Sequence, residues 1–438
     1  MSRLGNTIYR FPIKSFVGAV IQLDSILQRN ILFLFLMQGG NYLVPLLTLP
    51  WLTRVLGVDA FGQLGFITAF LAYFVLLVDW GFSLSATQKV AIYRNDQLER
   101  SKIFWTVFFA RLLLAGIGFF ALSIVLLVIP SLKTDYLLFL VAYLMVMGTA
   151  LTPAFYYQGI ERMGKMALVN SAIKFLSVPC IFLFVTGSED VGIAIGIQAL
   201  FIFLAGAVNF VALVLSDELA WVKPAPSDIR DSLFEGWPLF LSTASISLYT
   251  NSNTVILGFV ANTAAVAYFT AAQTVIRAAQ GLYGPISQAL FPRMSHLFHH
   301  SKDSALSSLR NLLWVQGLVT ALMSCILFVL GSWLLGLLFG SQFESGASVL
   351  RWLSPLLFLI GLSNVFGIQG MVPLGHTKAF SRILFASGIF NIAIIVPLGY
   401  WFEANGAAMA VLITELIVTI AMGLYLRSVE PKLFKIRT

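Results

Sequence analysis

Long apolar runs separated by short polar connections fill the chain from about residue 31 to the C-terminal tail. Twelve lie near 31–52, 63–85, 104–129, 136–157, 167–187, 191–215, 236–260, 264–290, 311–338, 347–373, 380–402 and 405–426. Each reaches the ~20 residues that a helix needs to cross a hydrocarbon core. The pattern predicts an all-α membrane protein of twelve transmembrane helices. Residues 1–29 break it: they are polar to mildly amphipathic, with Arg3, Arg10, Lys14 and Arg29. The apolar patch Phe16–Leu23 is short and no small-residue cleavage site follows, so an interfacial helix is expected rather than a signal peptide.

The connections set orientation. With the N-terminus inside, the inner segments hold 20 of the 27 Lys and Arg residues, and the outer loops hold only Arg54 and Lys133. Basic residues stay on the cytoplasmic side, so both termini are expected there. The resulting division is a cytoplasmic N-terminal segment (1–29), an N-lobe with six helices (30–215), a cytoplasmic linker (216–235), a C-lobe with six helices (236–426) and a cytoplasmic tail (427–438). Weak echoes support two halves. Gln158-Gly159 with Gly164 and Lys165 returns as Gln369-Gly370 with Gly375 and Lys378, and Gly192-Ile193-Ala194 returns as Gly406-Ala407-Ala408. Six is an even number of spans, so the halves form a parallel repeat, a geometry that leaves a central cleft suited to rocking.

Composition agrees with burial in lipid. Of 438 residues 59% are hydrophobic and 11% charged, against ~25% charged in soluble domains. The net charge of +8 reflects basic inner loops and points to no nucleic-acid partner. Cys180 and Cys325 both fall in apolar runs and suggest neither a disulfide framework nor a metal site. His296, His299 and His300 lack an acid or thiol spaced to complete a metal site. No P-loop G-x-x-x-x-G-K-[ST] is present, so neither ATP hydrolysis nor any other catalytic constellation is indicated.

The informative residues are polar groups inside the spans. Arg111, Lys174, Arg277 and Arg382 are the cations; Asp79 and Glu415 are the acids. A cation near mid-bilayer costs roughly 2.5–3.5 kcal/mol on insertion scales, so it normally faces the bundle interior. Arg111 and Arg382 lie within two turns of a span end, and either line a cavity or snorkel to the inner headgroups. Lys174 and Arg277 are deeper and are expected to line a cavity. Cations outnumber acids, which favours an anionic passenger. Asp79 and Glu415 either pair with an interior cation or take up and release a coupling proton. Gln38, Asn41, Asn251, Asn253, Gln273 and Gln280 add uncharged lining that either bonds sugar hydroxyls or bonds other helices. Trp80, Tyr156 and Tyr157 are not read as a sugar-stacking platform.

Several blocks resemble one family. N-Y-L-V-P-L-L-T-L-P-W-L-T-R-V-L-G (41–57), D-W-G-F-S-L-S-A-T (79–87), Q-G-I-E-R-M-G-K (158–165), Y-T-N-S-N-T-V-I-L-G (249–258) and the stretch from Ala272 through Gly281-Leu282-Tyr283-Gly284-Pro285-Ile286 to Pro292 are similar to Wzx-type O-antigen flippases. These belong to the multidrug/oligosaccharidyl-lipid/polysaccharide exporter superfamily, and the likeness covers nearly the whole chain. It implies a MATE-like fold of two six-helix bundles around a cationic cavity, with Arg111, Lys174 and Arg277 at the cavity positions. It implies an inner-membrane, non-enzymatic transporter for an undecaprenyl-pyrophosphate-linked oligosaccharide in O-antigen and lipopolysaccharide biosynthesis. No cofactor is implied beyond a coupling H+ or Na+ gradient. The implied partners are membrane lipid and other surface-polysaccharide assembly proteins, namely a polymerase and a chain-length regulator. The alternative is an ion-coupled drug exporter of the same superfamily, which would favour acids in its cavity.

Overall fold

The computed structural model describes residues 25–434, and no strand occurs among them. The expected N-terminal interfacial helix lies largely outside these residues. In chain order the helices are α1 (Ser25–Asp79), α2 (Phe82–Ile92), α3 (Gln97–Val128), α4 (Tyr136–Ala142), α5 (Leu144–Leu151), α6 (Ala154–Gly159) and α7 (Met163–Phe184). There follow α8 (Val191–Val214), α9 (Pro226–Thr250), α10 (Ser252–Val260), α11 (Thr263–His300), α12 (Lys302–Phe339), α13 (Ala347–Asn364) and α14 (Thr377–Val429), with a π-helical turn Val365–Met371 after α13.

Eight helical runs among these residues are long and apolar enough to cross a membrane. Phe120, Leu127, Leu183, Trp314 and Val329 are largely exposed on them. Side chains of this size in such number belong against lipid rather than water, so the chain is a multi-pass membrane protein. Two runs are about twice the length a bilayer takes: Leu47–Ile92 has 46 residues and Thr377–Val429 has 53. The first is broken at Gly57 (φ 77°, ψ −178°) and again at Trp80–Gly81, the second at Glu403 (φ 49°, ψ −128°).

Gly57 corrects the expectation of a ten-residue loop near 53–62. Helix continues to both sides of it, because glycine takes this conformation without a Cβ penalty and redirects the chain in one step. The expected linker 216–235 is also shorter. Helix α9 begins at Pro226, where proline's missing N–H costs nothing, and Asp228 Oδ2 accepts the Ala225 N–H at 3.1 Å.

Packing joins early and late helices at both ends of the bundle. At one end α1 and α11 approach so closely that a Cβ on Gly62 would lie 2.8 Å from the Thr263 carbonyl carbon. Thr263 Oγ1 donates to Asp59 Oδ1 at 2.8 Å, Gln342 Nε2 to the Thr53 carbonyl at 2.6 Å, and Arg54 Nη2 to the Leu337 carbonyl at 2.5 Å. At the other end Trp80 stacks on Phe240 with centroids 4.4 Å apart, its Nε1 donates to the Leu233 carbonyl, and Lys89 pairs with Glu235. One apolar cluster runs from Leu52 to Ala410 and includes the fully buried Tyr156, Phe104, Phe139 and Phe269; a second gathers Met294, Leu309, Met422 and Leu426.

Candidate functional site

Helix α11 is too rich in polar residues to count among the eight apolar runs. Its Gln273, Arg277 and Gln280 recur at i, i+4 and i+7 and so share one face. That face meets Asn253 of α10, Leu356 and Ile360 of α13, and Asn391, Val411, Thr414 and Glu415 of α14. Together they enclose a cavity of about 110 Å³, room for a few water molecules with polar partners to hold them.

Two charges line this cavity without forming an ion pair. Arg277 is exposed to it, and among the described residues no carboxylate lies within 4 Å of the guanidinium. Glu415 is 6% exposed and its Oε1 accepts the Ser363 hydroxyl at 2.5 Å. Asn391 is fully buried; its Nδ2 donates to Thr414 Oγ1 at 3.0 Å and its Oδ1 has no partner among the described residues. The cavity thus offers a cation, a buried carboxylate, and amide and hydroxyl groups for a neutral polar ligand.

The other sequence-derived candidates sit elsewhere. Arg111 is 3% exposed, donates to Asp79 Oδ1 at 2.8 Å and to the Thr152 carbonyl at 2.9 Å, and lies 5.1 Å from the centre of the Phe155 ring. Asp79 also accepts the Ser83 hydroxyl at 2.9 Å. This carboxylate and cation satisfy each other within the first helices. Lys174 is half-buried on α7, which packs against α1. Arg382 is exposed near the start of α14. Asn251 marks the break between α9 and α10, where its Nδ2 donates to Ser247 Oγ at 3.0 Å. Gln38 and Asn41 lie in α1 but their side chains are outside the described residues. Ser363, Asn391 and Thr414 were not anticipated from the sequence. Among the described residues no three His, Cys, Asp or Glu side chains are grouped to hold a metal.

Comparison with known proteins gives a consistent set of likenesses. A family model described as "Polysaccharide biosynthesis protein" matches residues 27–298. The chain is 34% identical over 402 residues to an Escherichia coli (strain K12) protein named "Putative O-antigen transporter", a match covering 92% of this chain and 97% of that protein. A Shigella dysenteriae protein of the same name is 31% identical over 399 residues, covering 90% and 99%. Among solved structures, the lipid II flippase MurJ in an inward closed conformation superposes with TM-score 0.70 at 15% identity, covering 91% of this chain and 87% of that one. An inward-facing multidrug resistance MATE family transporter of the MOP superfamily superposes with TM-score 0.69 at 14% identity, covering 90% and 96%.

Proposed function

This chain belongs to the polysaccharide biosynthesis protein family, and from that premise we propose that it is a flippase of the bacterial inner membrane. Its passenger is an undecaprenyl-pyrophosphate-linked O-antigen or related surface-polysaccharide unit, turned from the cytoplasmic to the periplasmic leaflet. The observation that carries this reading is Arg277: an accessible guanidinium lining a cavity with several polar groups, with no carboxylate within 4 Å of it among the described residues. Pyrophosphate and sugars cannot cross hydrocarbon unaided because each unpaired polar group costs several kcal/mol. A guanidinium replaces the water around a phosphate with charge-assisted hydrogen bonds, and Gln273, Gln280 and Asn253 are placed to bond hydroxyls. The polyprenyl tail stays in lipid.

Twelve membrane helices fit the architecture. The two double-length runs bent at Gly57 and Glu403 count twice, and the polar helices 226–260 and 263–300 complete the set. The lobes 30–215 and 236–426 rock about each other, with both termini cytoplasmic. Glu415, sharing the cavity with Arg277, couples the cycle to a cation gradient.

The test is complementation of a strain lacking this protein. Arg277→Ala should abolish surface polysaccharide and leave its lipid-linked unit facing the cytoplasm, while Arg277→Lys keeps part of the activity. Full activity of the alanine variant at normal protein level would refute the reading. Glu415 also suits a cationic drug, the second reading; that one requires changed drug susceptibility with surface polysaccharide intact.

A further inference from the structure

Toward the C-terminal end of α11 the face that carries Arg277 continues through Gly284, Ser287 and Phe291. The facing edge of α13, Leu356 and Ile360 in the first cavity, continues into Asn364, Ile368 and Val372. This second set encloses another cavity, of about 410 Å³. It lies ten residues along α11 from Arg277 to Ser287, or about 15 Å of helix.

The regular ladder of α13 gives way here to the π-helical turn Val365–Met371, in which Val372 N–H bonds the Gly367 carbonyl five residues back at 3.0 Å. Such turns are rare and occur frequently at functional sites. Gln369, fully buried in this turn, donates from Nε2 to the Ser287 carbonyl at 2.7 Å and to Ser287 Oγ at 3.1 Å. Ser287 Oγ in turn donates to Asn364 Oδ1 at 2.6 Å. The relay has one direction, because an amide NH₂ only donates and a serine hydroxyl owns one proton. Asn364 is therefore held with its carbonyl oxygen satisfied, and its two N–H donors have no partner among the described residues.

We propose that this second cavity is a sugar subsite, in which Asn364 Nδ2 donates to oxygens of the oligosaccharide while the pyrophosphate is held at Arg277; the assignment rests on the flippase reading above. Among the described residues no charged side chain lines the cavity. Oriented neutral donors fit the neutral acceptors of a sugar, and Phe291, Ile368 and Val372 give its C–H faces an apolar wall. The spacing lets one extended head group occupy both cavities at once.

The experiment measures binding to the full-length protein in nanodiscs with two probes. One is bare undecaprenyl pyrophosphate; the other is the glycosylated lipid that accumulates in a strain lacking this protein. Asn364→Ala should lose roughly tenfold in affinity for the glycosylated lipid, the scale of one lost hydrogen bond with its desolvation, and bind the bare lipid as before. Asn364→Asp keeps the acceptor for Ser287 but removes the donors, so it should lose at least as much while unfolding at the wild-type temperature. Arg277→Ala should weaken both probes. If both Asn364 variants bind the glycosylated lipid like wild type, the subsite is overturned while the Arg277 result still upholds the flippase reading. If the wild-type protein binds neither probe, both fall.

Discussion

Breaking the Asp79–Arg111 pair separates structural from transport roles. Arg111 is 3% exposed, so Asp79→Ala leaves a buried guanidinium with the Thr152 carbonyl at 2.9 Å and the face of Phe155 as its remaining partners. Removing one member of a buried ion pair costs about 3–5 kcal/mol, because the other charge stays buried without compensation. The carbonyl and the ring offset part of that, which puts the expected loss near the lower end, at about 3 kcal/mol. A chain of this length shifts by roughly 2 °C per kcal/mol, so Asp79→Ala should unfold about 6 °C below wild type when followed by intrinsic fluorescence in detergent. Removing both charges, as Asp79→Ala with Arg111→Met, should recover most of that loss, since an apolar pair often replaces a buried ion pair at little cost. If the pair is scaffold, the double variant also regains transport. A single variant that unfolds like wild type, or a double variant no more stable than the single one, would refute the reasoning.

Two further outcomes are expected. Glu415→Gln keeps the hydrogen bond from Ser363 but cannot release a proton, so reconstituted transport should become independent of an imposed pH gradient at unchanged protein level; retained dependence would remove Glu415 from the coupling step. Cysteines replacing Asp59 and Thr263, whose side chains now meet at 2.8 Å, should form a disulfide that stops transport reversibly with reductant; an unaffected rate would mean that this end of the bundle does not separate during the cycle.

The helices were legible because long apolar runs leave little else to a backbone in lipid. Their breaks were not. Thr53, Arg54 and Asp59 read as a polar loop, yet their groups meet Gln342, the Leu337 carbonyl and Thr263 across a helix junction that turns on Gly57 alone. An ionised group in an apolar run must find a partner, a cavity or the headgroups, and Arg382, exposed near the start of α14, finds neither of the first two among the described residues. Which of the three it finds depends on tertiary contact. Nothing in the run F-F-A-R-L-L-L announces that Asp79, 32 positions earlier, neutralises Arg111. Thr414 escaped notice because a threonine in an apolar helix commonly bonds its own backbone; it does so with the Ala410 carbonyl at 2.7 Å while also accepting Asn391.

The echo of Gln158-Gly159 in Gln369-Gly370 shows how similar local sequence serves different ends. In the first instance Thr87 Oγ1 reaches Gln158 Oε1 at 3.3 Å, and Gly159 packs so closely on α2 that a Cβ there would lie 2.6 Å from Val90. That contact is closed. In the second, Gln369 also bonds a hydroxyl, that of Ser287, but the surrounding turn is π-helical and a cavity opens beside it. Charge follows the same division. The mid-helix arginine of the early helices is buried against its own carboxylate, whereas Arg277 faces a polar cavity with no ion pair among the described residues. An ion pair already satisfied has little further attraction to offer an incoming anion, since a new partner must displace the old one at the cost of desolvating both. An anionic group entering the bundle therefore gains more at Arg277 than at Arg111, although the two read alike as lone arginines in apolar sequence.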